Sequence, residues 1–429
     1  MNEIESLARF AKTASRRLAV LPTDVKRRAL GAAADRIEAD ADAILKANAA
    51  DRADAKELAG PLRERLKLDR EKLAGMAAGI RAVAALEDPV GRLLSRTLLD
   101  DGLRLDKVSC PLGVLAVIFE SRPDAVTQIS SLALMSGNAL ILKGGREAAR
   151  STAALVASLS KAFEGFPGIP ADALAIVTDR AHVDALLALD AFVDLVIPRG
   201  SNDLVRYIQG HTKIPVMGHA DGVCHVYVDV AADTRMAVDI VADSKLQYPA
   251  ACNAVETVLV HGRAAPRILP PLVARLREAG TEIRACARTR ALLPDLVPAT
   301  EDDWGAEYLA PVVAVKMVDS LDEAIEHVNR YGSSHTDAIV TDDAAAAERF
   351  LSEVDSAGVY HNASTRFADG FRYGFGAEVG ISTSKLHARG PVGLDGLVSY
   401  KYKLYGKGQL VASYSGPGAR PFRHEKIPS

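Results

Sequence analysis

The sequence predicts an α/β protein: two doubly wound α/β domains and a β arm suited to oligomerisation. Three observations predict it. From residue 111 onward, uninterrupted apolar runs alternate with helical segments, the pattern of parallel sheets covered on both faces. The same alternation restarts after Cys252. Between the helical N-terminus and the first parallel strand lies Arg96–Val108, whose central Asp101-Gly102 is flanked by strand-like residues. Asp-Gly in that setting signals a hairpin, with both turn residues tolerating positive φ.

Residues 2–90 read as helices. One is expected over Asp24–Ala49, capped by Thr23, with Leu30, Ala34, Ile37 and Ile44 on helical spacing. Gly60-Pro61 interrupts, and helical patterning resumes near Asp69. A protruding hairpin at Arg96–Val108 would need its edge covered, hence an oligomerisation arm and a homo-oligomer. Strands are then expected at Gly113–Phe119, Ala139–Lys143, Leu174–Thr178 and Val193–Pro198, with helices at Ala125–Met135, Glu147–Phe163 and Ser201–Gln209. The second unit has strands at Thr257–Val260, Val312–Val315, Ala338–Val340 and Val359–His361, with helices at Ala265–Ala279, Ser320–Asn329 and Ala344–Ser352. The glycine-rich stretch Phe367–Gly396 is too long for an idle loop. Leu397–Leu404 returns to strand alternation and could pair with the hairpin, and residues from Pro417 on read as a frayed tail. The expected domains are 1–93 with 109–248 for the cofactor, 249–394 for catalysis, an arm of 94–108 and 395–412, and a tail of 413–429.

Composition excludes several classes. Hydrophobic content of 48% and charged content of 25% are those of a soluble globular chain. A net charge of -3 leaves no footprint for nucleic acid or an anionic membrane. The N-terminus resembles no signal peptide, and the densest apolar segment, Gly113–Phe119, is far shorter than the roughly 18 residues a membrane span needs. Cys110, Cys224, Cys252 and Cys286 are scattered, as in a reduced cytoplasmic protein without disulfides. The spacing of His219, Cys224 and His225 matches no standard metal site, so no metal is expected.

Chemistry is concentrated at Gln247–Thr257, QYPAACNAVET. Small neighbours would let a carbonyl and a cofactor ring approach Cys252, and a thiolate suits acyl transfer. On this window alone the commoner role of such a cysteine is packing as a small hydrophobe. The dinucleotide fingerprint G-x-G-x-x-G is absent, and Gly374–Gly380 has the wrong spacing. Lys143-Gly-Gly-Arg146 and Pro198-Arg-Gly-Ser201 each place glycine and a cation between strand and helix, where N–H groups favour anions. Each reads equally well as a plain turn.

The ordered set of these segments resembles the aldehyde dehydrogenase superfamily, over a stretch from the N-terminal helices to about Gln409. The residues carrying the resemblance are Phe119-Glu-Ser-Arg-Pro-Asp124, Lys143-Gly-Gly145, Pro198-Arg-Gly200, Gly222–Tyr227, Cys252–Thr257, Ala363–Gly370 and Phe375–Pro391. Within the superfamily it matches the acyl-phosphate-reducing branch. The resemblance implies NADPH-dependent conversion of L-glutamyl 5-phosphate to L-glutamate 5-semialdehyde and phosphate, the second step of proline biosynthesis. It implies Cys252 as the nucleophile that forms a thioester, its thiolate favoured for instance by a helix N-terminus or a nearby cation. Glutamate 5-kinase is the partner that would supply substrate. The other reading it leaves open is an acylating or ordinary aldehyde dehydrogenase for a different semialdehyde.

Site residues follow from the resemblance. The tetrahedral oxyanion would take the Cys252 N–H and, as a second donor, Asn253 or Ser121, the latter standing where oxidative members carry an amide. Arg122 adds a cation suited to a phosphorylated substrate. His219 stands where oxidative members carry the glutamate that activates water, which a reductase must avoid. Lys143, Gly200, Ser201 and Glu307 would hold the cofactor. Arg146, where NAD-preferring members have glutamate, favours a 2′-phosphate and hence NADP. Arg366 and Arg372 are candidates for the substrate carboxylate, Asp369 or Glu378 for its amine, and His387 and Arg389 could stand behind them.

Overall fold

A computed structural model describes residues 3–58, 60–179, 181–219 and 221–428. The chain divides into two compact units, Met1–Met217 with Phe375–Val379 and Val392–Ser429, and Gly218–Gly374 with Gly380–Pro391.

The first unit opens with α1 (Glu3–Leu18), α2 (Thr23–Ala39), α3 (Ala41–Asp54), α4 (Gly60–Leu66) and α5 (Arg70–Ala85). The single helix expected over Asp24–Ala49 is broken at Asp40. Its carboxylate takes a local bidentate bond from Arg36 at 2.6 and 2.7 Å and a tertiary bond from the Ser158 hydroxyl at 2.8 Å. Thr23 is not the cap: Pro22 is, and the Thr23 hydroxyl donates to Asp88. Asp69 does cap α5, accepting from the Lys72 N–H.

The hairpin is β1 (Leu93–Asp100) and β2 (Leu103–Pro111). Gly102 has φ 69 but Asp101 does not enter the left-handed region, because the register shifts between Leu98 and Asp100. A bulge next to one left-handed glycine replaces a turn with two positive φ values. After it come β3 (Val114–Phe119), α6 (Ala125–Met135), β4 (Ala139–Gly144), α7 (Ala149–Phe163), β5 (Leu174–Ile176), α8 (His182–Leu187), β6 (Leu195–Arg199) and α9 (Asn202–His211). The four strands form a parallel sheet in the order β5-β4-β3-β6, and every residue of β3 is buried.

The second unit contains β7 (Cys224–Val228), α10 (Thr234–Leu246), β8 (Val255–His261), α11 (Ala265–Glu278), β9 (Glu282–Ala285), α12 (Ala287–Leu292), β10 (Val297–Pro298), β11 (Val312–Val318), α13 (Leu321–Tyr331), β12 (Thr336–Val340), α14 (Ala344–Glu353), β13 (Gly358–His361) and the small pair β14 (Ile381–Ser382) and β15 (Gly390–Pro391). Its parallel sheet runs β10-β9-β11-β8-β7-β12-β13. Val226, Val228, Val258 and Val260 pack with α10 and α11, whereas the alternate residues Tyr227, Leu259 and Ile339 pack with α13 and α14. Period-two alternation thus clothes both faces. The division falls at 217/218 instead of 248/249, because β7 pairs with β8 and carries α10 with it.

Returning to the first unit, β16 (Val398–Tyr405) pairs along β2 from Val398 opposite Pro111 to Tyr405 opposite Arg104. The last strand, β17 (Glu425–Ile427), pairs with β1, giving an antiparallel sheet β16-β2-β1-β17. Within the stretch from Pro417 on, expected to fray, Arg420, Arg423 and Glu425–Ile427 are therefore tied down. Buried Asp100 accepts bonds from Tyr414 and Arg420, and the Arg423 N–H donates to the Leu99 carbonyl. A carboxylate shielded from water requires such donors, and the C-terminal residues provide them. No helix among the described residues is long and apolar enough to cross a membrane.

One buried histidine makes stability pH-dependent. His327 on α13 lies among Trp304, Tyr331 and His225, with the Lys316 ammonium 3.1 Å from its Nδ1. Burial first, then the charge of His225 and Lys316, pushes its pKa down from 6.5 to about 2. A folded-state pKa below the unfolded value means stability is complete above about pH 6.5 and declines as pH falls beneath it. The expected slope approaches about 1.4 kcal/mol per pH unit. Urea denaturation at pH 7 and 5.5 should show a smaller difference in His327→Phe than in the parent chain; equal differences would remove His327 as the cause.

Candidate active site

Cys252 lies, half-buried, on the turn joining α10 to β8, braced by bonds from the Ala251 N–H to Tyr248 and the Ala254 N–H to Ala251. It follows the C-terminal end of α10, so that helix offers no N-terminal dipole to a thiolate. Three other features define its surroundings. Gly222 approaches so closely that a Cβ there would sit 2.2 Å from the Cys252 carbonyl oxygen and 2.7 Å from its Cβ. The buried Cys224 thiol donates to that same carbonyl at 3.3 Å, and burial raises its pKa well above the ordinary value, keeping it a neutral donor. Ligand-capable atoms of His219, Cys252 and His335 all lie within 4.8 Å of one another.

The two imidazoles meet edge to face at 4.7 Å. His219 Nδ1 is 2.8 Å from the carbonyl oxygen of Ile381, and His335 Nδ1 is 2.9 Å from the Thr336 hydroxyl. His335 is fully buried, and its Nε2 has no hydrogen-bond partner. Ala220, in the His219–Gly222 run, lies outside the described residues.

Arg366 sits on a short 3₁₀ turn after β13, only 9% exposed. Its Nε donates to Gln247 at 2.9 Å. Burial and the nearby Arg372 lower its pKa, while attraction to Cys252 and Asp369 opposes them. A guanidinium stays charged regardless, so Cys252 has a fixed cation in its field. Arg372 donates to the Arg366 carbonyl. Asp369 has a structural duty, accepting from the N–H groups of Phe371 and Arg372. Arg389 pairs with Asp355. Glu378 belongs to the other unit.

Two expected oxyanion donors are otherwise engaged. Asn253 is buried, and its Nδ2 donates to the Ala368 carbonyl at 2.8 Å, tying the cysteine turn to the glycine-rich loop. Ser121, with φ 49, gives both its N–H and its hydroxyl to the Glu147 carboxylate. Flanking Cys252 in sequence, Lys245 and Glu256 form a fully buried ion pair at 2.6 Å. Burial drives both towards neutrality, lowering the Lys245 pKa and raising that of Glu256 to about 7. Glu307 precedes β11 and adds its negative field to Glu256.

The first unit gathers the other candidates at the carboxyl ends of its strands. Lys143 ends β4, its ammonium donating to the Gly144 carbonyl. Arg146 is exposed just beyond. Ser201 caps α9, and its N–H binds the Glu120 carboxylate at 2.8 Å; a Cβ on Gly200 would lie 2.4 Å from that same carboxylate. Arg122 lies just before α6, with its carbonyl accepting from the Ala125 N–H.

Sequence reasoning assigned no role to Cys224, His335 or the Lys245–Glu256 pair. A histidine opening an apolar strand at Ser334-His335-Thr336 is the one signal that could have drawn attention to His335.

The family model described as "Aldehyde dehydrogenase family" matches residues 1–284 and 293–391. A gamma-glutamyl phosphate reductase of Synechococcus sp. (strain JA-3-3Ab) is 58% identical over 421 residues, covering 97% of this chain and 92% of that protein. One from Pelotomaculum thermopropionicum is 52% identical over 427 residues, covering 99% and 98%. The crystal structure of gamma-glutamyl phosphate reductase from Thermotoga maritima superposes with a TM-score of 0.93 at 39% identity, covering 95% of this chain and 100% of that one.

Proposed function

This chain belongs to the aldehyde dehydrogenase family, and from that premise we infer that it reduces L-glutamyl 5-phosphate to L-glutamate 5-semialdehyde, releasing phosphate. This is the second step of proline biosynthesis from glutamate. The observation that carries the mechanism is the company of Cys252: two imidazoles within 4.8 Å and the field of a buried guanidinium.

The Cys252 thiolate attacks the acyl-phosphate carbon, the C–O bond to phosphate breaks, and a thioester remains. His335 supplies a group able to accept the thiol proton, and Arg366 places a cation in the field of Cys252. With the Asn253 amide and the Ser121 hydroxyl engaged elsewhere, the Cys252 N–H is the remaining donor for the oxyanion. Arg366 also suits the substrate carboxylate, and Arg122 the phosphate. Asp369 keeps its place as the amine's partner through its second oxygen.

A nicotinamide cofactor, in our reading NADPH, supplies the hydride that reduces the acyl group. The turn at Gly200-Ser201 fits an anionic cofactor: its N–H already binds a carboxylate oxygen, that of Glu120, where a side chain on residue 200 would intrude. Lys143 and Glu307 are our further candidates for the cofactor, each within its own unit, and exposed Arg146 offers its cation to a 2′-phosphate. Arg146→Glu should lower the NADPH/NADH preference by at least tenfold, read from kcat/KM for each; an unchanged ratio would remove Arg146.

The phosphate-dependent reverse reaction tests the activity itself. Glutamate semialdehyde should reduce NADP only when inorganic phosphate is present, whereas phosphate-independent turnover would favour an ordinary aldehyde dehydrogenase. His219 explains why the thioester is not hydrolysed, since an imidazole bonded to Ile381 stands where a carboxylate base would activate water. His219→Glu should therefore raise glutamate release from glutamyl phosphate in single turnover by about 10²-fold, the scale of general-base catalysis. Release at the parent rate would sink that explanation. Exposed Tyr400, Tyr402 and Leu404 on β16 support reading the arm as a self-association surface in a cytoplasmic homo-oligomer. Glutamate 5-kinase is the reaction partner, since acyl phosphates hydrolyse unless consumed promptly.

A further inference from the structure

We propose that His219, Cys252 and His335 form a zinc-binding site that reversibly closes the enzyme. The three residue types are those zinc prefers, and their donor atoms already lie within 4.8 Å of one another. Tetrahedral zinc, with bonds of about 2.0–2.3 Å, holds its donors about 3.5 Å apart. Contraction by about 1 Å, within reach of side-chain rotation on the cysteine turn, completes three ligands. The fourth position is left for water.

The surroundings suit coordination. Ligating histidines commonly engage their second nitrogen with a carbonyl or hydroxyl, which fixes the ring. His219 Nδ1 meets the Ile381 carbonyl, and His335 Nδ1 meets the Thr336 hydroxyl, so coordination would use Nε2 of each ring. His335 Nε2 is buried without a hydrogen-bond partner, a polar atom whose desolvation a metal would relieve. On binding, the Cys252 S–H bond breaks, its proton goes to solvent and an S–Zn bond forms; no electrons are transferred. The consequence for turnover rests on Cys252 being the nucleophile, because a metal-bound sulfur cannot attack the acyl phosphate. The binding itself does not depend on that reading.

The experiment titrates the full-length protein with Co²⁺ and then Zn²⁺ alone, without substrate. One equivalent of Co²⁺ should give a thiolate-to-cobalt charge-transfer band that zinc abolishes by displacement. The band should vanish in Cys252→Ala and persist in Cys110→Ser. His335→Gln should weaken Zn²⁺ binding by at least about tenfold. Should that variant fail to fold, as judged by circular dichroism, His219→Gln answers the same question. Zinc should also inhibit turnover of the parent enzyme, with recovery on adding a chelator. No cobalt–thiolate band, or parent-like affinity in the histidine variants, overturns the proposal. A protein that binds zinc this way yet shows no phosphate-dependent turnover would instead refute the assigned activity.

Discussion

Gly222→Ala is expected to lower kcat/KM for glutamyl phosphate by about 10²-fold or more, with the far-ultraviolet circular dichroism unchanged. An added methyl would stand 2.2 Å from the Cys252 carbonyl oxygen and 2.7 Å from the Cys252 Cβ, against the backbone of the nucleophile's own turn. Neither neighbour is the yielding tip of a long side chain, so the turn itself has to move. Displacement of a nucleophile by about 1 Å costs on that order in rate. The Cys224 bond to the same carbonyl would be disturbed as well. Steady-state kinetics with alkylation rates for Cys252 would check it: slower turnover with a still reactive thiol is the expected combination, and parent-like kcat/KM would show that the turn yields without consequence.

Removing one member of the Lys245–Glu256 pair should be the most damaging change to stability. Both side chains are fully buried, and their contact is 2.6 Å. Lys245→Met leaves Glu256 buried without its counter-charge, and breaking such a pair costs about 3–5 kcal/mol. The double variant Lys245→Met/Glu256→Leu should recover most of that loss, since a well-packed apolar pair often matches a buried ion pair. Urea denaturation of both variants decides it. A single variant as stable as the parent would mean that Glu256 simply takes up a proton in its place, as its pKa of about 7 would allow.

Much of the fold was legible because burial leaves a plain mark. A strand covered on both faces is apolar throughout, so Gly113–Phe119 could be read directly. The break at Asp40 was not legible, since helix formers continue through it and the Ser158 bond that Asp40 accepts exists only in the fold. The division at 217/218 was hidden for a related reason: β7 and β6 are equally apolar, and only pairing reveals which sheet each joins. At the site, residue types were readable but their hydrogen-bond commitments were not. Asn253 and Ser121 look like oxyanion donors in sequence, yet each gives its hydrogens to a partner on another segment. Sequence alone assigns Cys224 and His335 no role, because that role lies in nearness to Cys252.

The C-terminal strand also changes what the arm can do as a surface. A bare hairpin would present two comparable edges, each able to template another strand. Laying Glu425–Ile427 against β1 covers one edge with a segment of three residues, while β16 leaves eight along the other. The arm is thereby polarised: one border is blunt, the other long and lined with tyrosine. For the self-association proposed above, strand addition finds its longer template along β16.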